Sequence, residues 1–239
     1  AADDAADDEG DSVAPTITEP EAEEEEAEPD PVFGGTLRVA MEAESDGINP
    51  VANNYAVAAY MMSFPIFDPL FAYDADGNWF PFLAESASPV EGTNSWQITL
   101  RQGITYHDGS EMTADDMIAA FEAQLAGPII SLAVAPRYPA ENRIEKIDDY
   151  TVQHNLLRPD NHFPVSLTNQ LGMVPPASYI AAAAEDPSMD QMPIGQGPFQ
   201  IVSRAQDDRT VVERFDGYWG GTDDIYLDRI EFLPITDTA

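Results

Sequence analysis

Apolar residues recur along this chain at two spacings, every second position and every third to fourth, and these two periods predict most of its elements. In "GGTLRVAM" (34–41), Leu37, Val39 and Met41 alternate with polar or small residues, predicting a first strand reached through two glycines. "YAVAAYMMSFPIFDPL" (55–70) predicts a helix that Pro65 and Pro69 break or kink. Strands are expected at "SWQITL" (95–100), "YTVQHNL" (150–156), "FQIVS" (199–203), "TVVERF" (210–215) and "IYLDRIEFLPI" (225–235). Asp148-Asp149 predicts a hairpin turn between 144–147 and 150–156. Further helices are expected over 114–125, 163–170 and 177–184. Strands and helices intermingle with short hairpin signals and no internal repeat, which favours a mixed α/β sheet over a sandwich or a bundle.

One stretch, "GITYHDGSEMTADDM" (103–117), sets a histidine beside an aspartate and two further carboxylates nearby. Its spacing fits a helix start better than a reactive site. Thr113 and Asp116 have the offset of a capping box, and Asp115 and Asp116 sit where a helix dipole favours negative charge. Met117, Ile118, Phe121 and Leu125 then follow at helical spacing as a buried face, and Gly127-Pro128 ends the helix. Asp108-Gly109 is a tight turn. His154 and His162 lie far off in sequence, so no metal-ligand spacing forms around His107. "YDADGNWFPFLAES" (73–86) offers a second temptation, with Asp74, Asp76, Asn78 and Glu85 at positions 1, 3, 5 and 12 of a calcium loop. The sixth position, which needs glycine for a sharp turn, is Trp79, so a β-turn through Asp76-Gly77 is expected instead. No metal or cofactor is expected.

Charge separates the first residues from the rest. The chain holds 44 acidic and 10 basic residues over 239 positions, for a formal charge of -34, and Lys146 is its one lysine. Residues 1–30 carry 14 acids and no base. Such a segment buries too little apolar surface to offset its ordering entropy, so residues 1–32 are expected to be a disordered acidic linker, with 33–239 folded. The overall charge disfavours nucleic acid and anionic membrane surfaces as partners. The absence of cysteine excludes disulfides, thiolate zinc sites and a cysteine nucleophile. No nucleophile–base–oxyanion set can be assembled, so an enzyme is not expected.

Six segments in order carry a resemblance. "GGTLRVA" and "DGINP" are followed by "IFDPLFAYDADGNWFPFLAES", then "WQITLRQGITYHDGSEMTADDMIAAFE", then "PIGQGPFQI" and "ERFDGYWGG". Together they resemble the extracellular solute-binding proteins of family 5, the peptide and nickel type that feed ATP-binding-cassette importers. Tyr106 stands for that family's usual Phe, Gln196 for its usual Thr, and Asp216 for another polar residue. The resemblance implies a periplasmic-binding-protein-like (type II) α/β lobe, the first of two and incomplete over this length. It implies a hinged trap that closes on a solute and delivers it to permease subunits. The location implied is extracytoplasmic, in the periplasm or at the outer face of the cell membrane, with tethering through a lipid anchor not contained in this sequence. Peptide is the default solute; nickel or oligosaccharide, or a docking role at a membrane receptor, are the alternatives. By position in the family pattern, Tyr60 would face the solute, as would Glu42, Glu44 and Ser45 in the loop after the first strand. Asn169 and Gln170 fall at another cleft-facing turn. Trp219 looks structural.

Overall fold

In a computed structural model, residues 31–235 are described, and the expected linker over 1–32 falls almost wholly outside them. The chain enters through β1 (Thr36–Met41) and, after a long loop, α1 (Val57–Ser63). A hairpin, β2 (Phe71–Tyr73) and β3 (Trp79–Pro81), precedes β4 (Ala84–Pro89) and β5 (Ser95–Leu100). Next come α2 (Ala114–Ala126), α3 (Ile130–Val134), β6 (Ile144–Lys146) and β7 (Thr151–Asn155). α4 (Ala177–Glu185) leads to β8 (Phe199–Ala205), β9 (Arg209–Arg214) and β10 (Arg229–Pro234).

Two four-stranded sheets result. One has the order β1-β10-β9-β8, with β1 parallel to β10 and the other pairs antiparallel. The second, β4-β5-β7-β6, is antiparallel throughout. Each has its own core. Val39 and Met41 of β1 pack with Ile230, Phe232 and Val212 against Ala58, Ala59 and Met62 of α1. Ile98, Leu100 and Val152 of the second sheet pack against Met117, Ala120 and Phe121 of α2. Helical spacing and most of the strand alternation therefore point at the cores as expected, but Leu37 at the start of β1 is exposed. Ile118 and Leu125 sit at the margin of the α2 face, only partly buried.

The capping box forms at the start of α2. Asp116 Oδ2 accepts from the Thr113 amide at 2.8 Å and from its hydroxyl at 3.1 Å. Asp116 Oδ1 accepts from the Ala177 amide at 2.8 Å, so one buried carboxylate ties the starts of α2 and α4 together.

Several expectations change. The helix over 55–70 shrinks to α1, because Pro65 and Pro69 cannot continue it. The helix expected over 163–170 becomes two 3-10 turns, Phe163–Leu167 and Gln170–Gly172. Between them the Asn169 side chain accepts from the Leu171 amide, offering the backbone a turn in place of a helix. The last strand starts at Arg229 rather than 225. β4 and α3 carried too little alternation or length to be expected.

Candidate functional site

His107 is fully engaged by the backbone. Its Nε2 lies 3.0 Å from the Gly197 carbonyl, and the Gly195 amide reaches Nδ1 at 3.3 Å. These partners call for a neutral ring that donates through Nε2 and accepts at Nδ1. Burial holds His107 below the ordinary histidine value. Neither nitrogen is free for a substrate or a metal. Asp108 accepts from the Ser110 amide and hydroxyl, closing the turn in which Gly109 adopts φ +83°. Asp74 likewise accepts from the amides of Asp76 and Asn78, making the β2–β3 connection a turn. Among the described residues no group of three histidine or carboxylate side chains converges as a metal site.

A groove of about 780 Å3 opens where β1 ends. Its walls are residues 40–47, the loop residues 52–54, Ala56, Val57, Ala58 and Met61 of α1, and Ile129. α1 explains the apolar wall. One face, Ala58, Ala59, Met62 and Ser63, is buried, yet Val57, Met61 and Phe64 on the other are 65%, 41% and 47% exposed. A helix that is apolar all round ordinarily has both faces covered, so this one presents an unpartnered surface. Ile129 adds another exposed apolar side chain, at 54%.

The opposite wall is the loop after β1. Glu44 does not reach into open space there. Its Oε1 accepts from the Ser45 amide at 2.9 Å and from Arg204 Nη2 at 3.0 Å, and its Oε2 from the Asp207 amide at 3.3 Å. The Arg204 side chain, from β8, is 1% exposed and also donates to the Ser45 carbonyl. Ser45 Oγ donates to the Gly47 carbonyl at 2.7 Å. Glu42 and Asp46 remain exposed on this wall.

Glu42, Glu44 and Ser45 thus meet in the groove, but Tyr60, Asn169 and Gln170 do not line it. Tyr60 stands next along α1, stacked on Phe64 at 5.8 Å and edge-on to Tyr55 at 5.3 Å. The Gln170 side chain is buried and spends its Nε2 on the carbonyls of Pro50 and Asn53, at 2.8 and 2.7 Å. It braces the loop beneath the groove. Asn169 is exposed beside it. Val57, Met61, Asp46 and Ile129 were not singled out from the sequence. The signal for the first two was present in the apolar residues all round "VAAYMMSF".

Two other segments are joined by one buried carboxylate. Asp68 Oδ2 accepts from the Tyr218 hydroxyl at 2.9 Å and from Trp219 Nε1 at 2.8 Å. Burial pushes Asp68 up to about 6, against the lowering effect of those two bonds. Gln196 Nε2 donates to the Asp68 carbonyl at 3.0 Å. "IFDPL", "GQGPF" and "YWGG" are therefore one packed unit, and Trp219 is structural.

The pattern described as "Bacterial extracellular solute-binding proteins, family 5 Middle" matches residues 78–239. The chain belongs to this family. Among relatives of the family 5 chain, the dipeptide-binding protein of Escherichia coli K12 is 28% identical over 205 residues, covering 77% of this chain and 38% of that protein. The oligopeptide-binding protein AppA of Bacillus subtilis, solved with a nonapeptide, superposes with a TM-score of 0.75 at 25% identity, covering 87% of this chain and 41% of AppA. AgaA from A. tumefaciens R10, solved with agropinic acid, gives 0.74 at 25% identity, covering 85% and 40%. The fold is the α/β fold of periplasmic binding proteins. The family 5 chain spans about two fifths of the length of these relatives.

Proposed function

We propose that this chain forms one wall of an extracytoplasmic trap that captures a peptide and passes it to an ATP-binding-cassette importer. The observation that carries the reading is the groove at the end of β1, with the unpartnered apolar face of α1 on one side and the loop 42–47 on the other. Clefts of this size and composition are the usual seats of small solutes. Family membership and relatives named for dipeptides and oligopeptides support peptide as the solute. The second wall comes from the part of the family's length that this chain does not span, and closure of the two buries the solute. Delivery to permease subunits and lipid tethering at the outer face of the membrane belong to the same reading. No bond in the solute needs to break.

Tyr60 and Phe64 extend the apolar wall beyond the groove, and Ser45 and Glu42 supply polar contact. Gln170 and Glu44 act through the loops they hold. Titration calorimetry on the full-length protein tests this. Met61→Asp places a charge on the apolar wall and should weaken peptide binding at least about tenfold. Residues 1–239 alone should give no detectable heat, because one wall expels little water while association still costs entropy. Unchanged affinity in Met61→Asp would remove the groove from the site, and equal affinity of the two chain lengths would remove the trap.

A further inference from the structure

The charge of the groove is set by a side chain that does not line it. Arg204 is almost wholly buried beneath the loop after β1 and takes Glu44 for its ion pair. The same guanidinium holds the Ser45 carbonyl, and Glu44 in turn holds the amides of Ser45 and Asp207. Glu44 is thereby withdrawn from any solute, and the loop is pinned to β8. Arg204 Nε has no partner among the described residues, so its position is not explained by complete hydrogen bonding. What the pair accomplishes is to fix the loop that carries Glu42 and Asp46.

Those two carboxylates are exposed and make no ion pair among the described residues. No lysine, arginine or histidine lines the groove, and its other side is the apolar wall of Val57, Met61 and Ile129. Asp46 also feels the Arg204 charge, so that guanidinium is shared by Glu44 and Asp46, and Glu42 is not among the groups it meets. The groove keeps a negative potential beside an apolar surface.

Resting on the reading of this groove as the solute site, we propose that the Arg204–Glu44 pair makes it selective for solutes carrying a positive charge next to an apolar body. A peptide with an aliphatic residue beside a lysine or arginine fits both walls. An acidic side chain in the same place meets Glu42 and Asp46 and is rejected, which is discrimination by repulsion as well as by attraction.

The test uses three tripeptides, Ala-Leu-Lys, Ala-Leu-Gln and Ala-Leu-Glu, which differ in one side-chain charge, titrated into the full-length protein. Ala-Leu-Lys should bind about fivefold tighter than Ala-Leu-Gln, and Ala-Leu-Glu about fivefold more weakly, as expected for one partly exposed ion pair. Glu42→Gln with Asp46→Asn, both at exposed positions, should bring the three within about twofold of each other, and salt should narrow the spread in the unaltered protein. Arg204→Lys keeps the charge but shortens its reach, and should speed hydrogen exchange at the amides of 43–47. Equal affinities for the three peptides, or a preference for Ala-Leu-Glu, overturns the selectivity; unchanged exchange in Arg204→Lys overturns the pinning. Met61→Asp separates the groove from its selectivity. If it weakens Ala-Leu-Gln while no charge preference exists, the groove stands and only the selectivity falls. If it leaves Ala-Leu-Gln untouched, or if none of the three peptides binds, both fall.

Discussion

Replacing Asp116 with alanine should cost far more than replacing its neighbour Asp115, although the two are adjacent at the same helix start. Asp116 accepts the Thr113 amide at 2.8 Å and the Ala177 amide at 2.8 Å, each on a different oxygen. A hydrogen bond to a charged acceptor contributes about 1.5–3 kcal/mol. Both bonds are only part-buried, so water recovers some of that, and a loss of about 3 kcal/mol is expected for Asp116→Ala. Asp115 has a side chain 66% exposed, paired with Lys146 at the surface, and its loss should cost under about 1 kcal/mol. Thr113→Ala falls near the lower limit for a cap, about 0.5–1 kcal/mol, because the Asp116 carboxylate keeps its two amide bonds without the hydroxyl. Asp116→Asn retains one acceptor oxygen and should lose about half as much as alanine. Urea unfolding of the full-length protein, compared at equal slope, measures all four. If Asp116→Ala and Asp115→Ala agreed within error, the double cap would not be what holds α2 and α4 together.

Asp68 predicts a pH dependence with a definite sign. Its value is raised from 3.8 to about 6, so the folded state holds the proton more tightly than the unfolded one. Its contribution is therefore fully present below about pH 4 and is lost as pH rises through about 6, a change of about 3 kcal/mol relative to Asp68→Asn. A stability difference between the two proteins that stays flat from pH 4 to 7 would contradict this. His107→Ala should lower stability by about 1–3 kcal/mol while leaving peptide affinity within about twofold. Lost binding with intact stability would make His107 a functional group after all. Gly195→Ala would put a Cβ 2.1 Å from the Ile66 carbonyl oxygen, and thermal unfolding should show a loss above about 2 kcal/mol; a neutral outcome would mean that the 195–197 loop is free to shift.

What could be read along the chain was local. The cap at Thr113–Asp116, the turns at Asp76-Gly77 and Asp108-Gly109, and the hairpin at Asp148-Asp149 involve partners a few residues apart, so their spacing shows in the order of residues. The ordered segments from "GGTLRVA" to "YWGG" were enough to indicate the family and, through it, the fold. A helix over 163–170 failed for a similarly local reason, since Asn169 turns its side chain back to the Leu171 amide.

Partners far apart in sequence decided the rest. β1 meets β10 across most of the chain's length, and only that pairing brings the end of β1 beside α1 to open the groove. Glu42 and Glu44 are two residues apart and look equivalent in "MEAESDG", yet one is exposed and the other is bound to an arginine 160 residues away. Gln170, placed in the cleft by resemblance, turns out to brace the Pro50–Asn53 loop from below. Composition and periodicity say which residues are apolar, charged or able to cap. They do not say which charge finds a partner, because a side chain's neighbours depend on the path of the whole chain. Most of the elements and the family were therefore written in the sequence, while the groove, its free carboxylates and its apolar wall exist only where tertiary contacts assemble them.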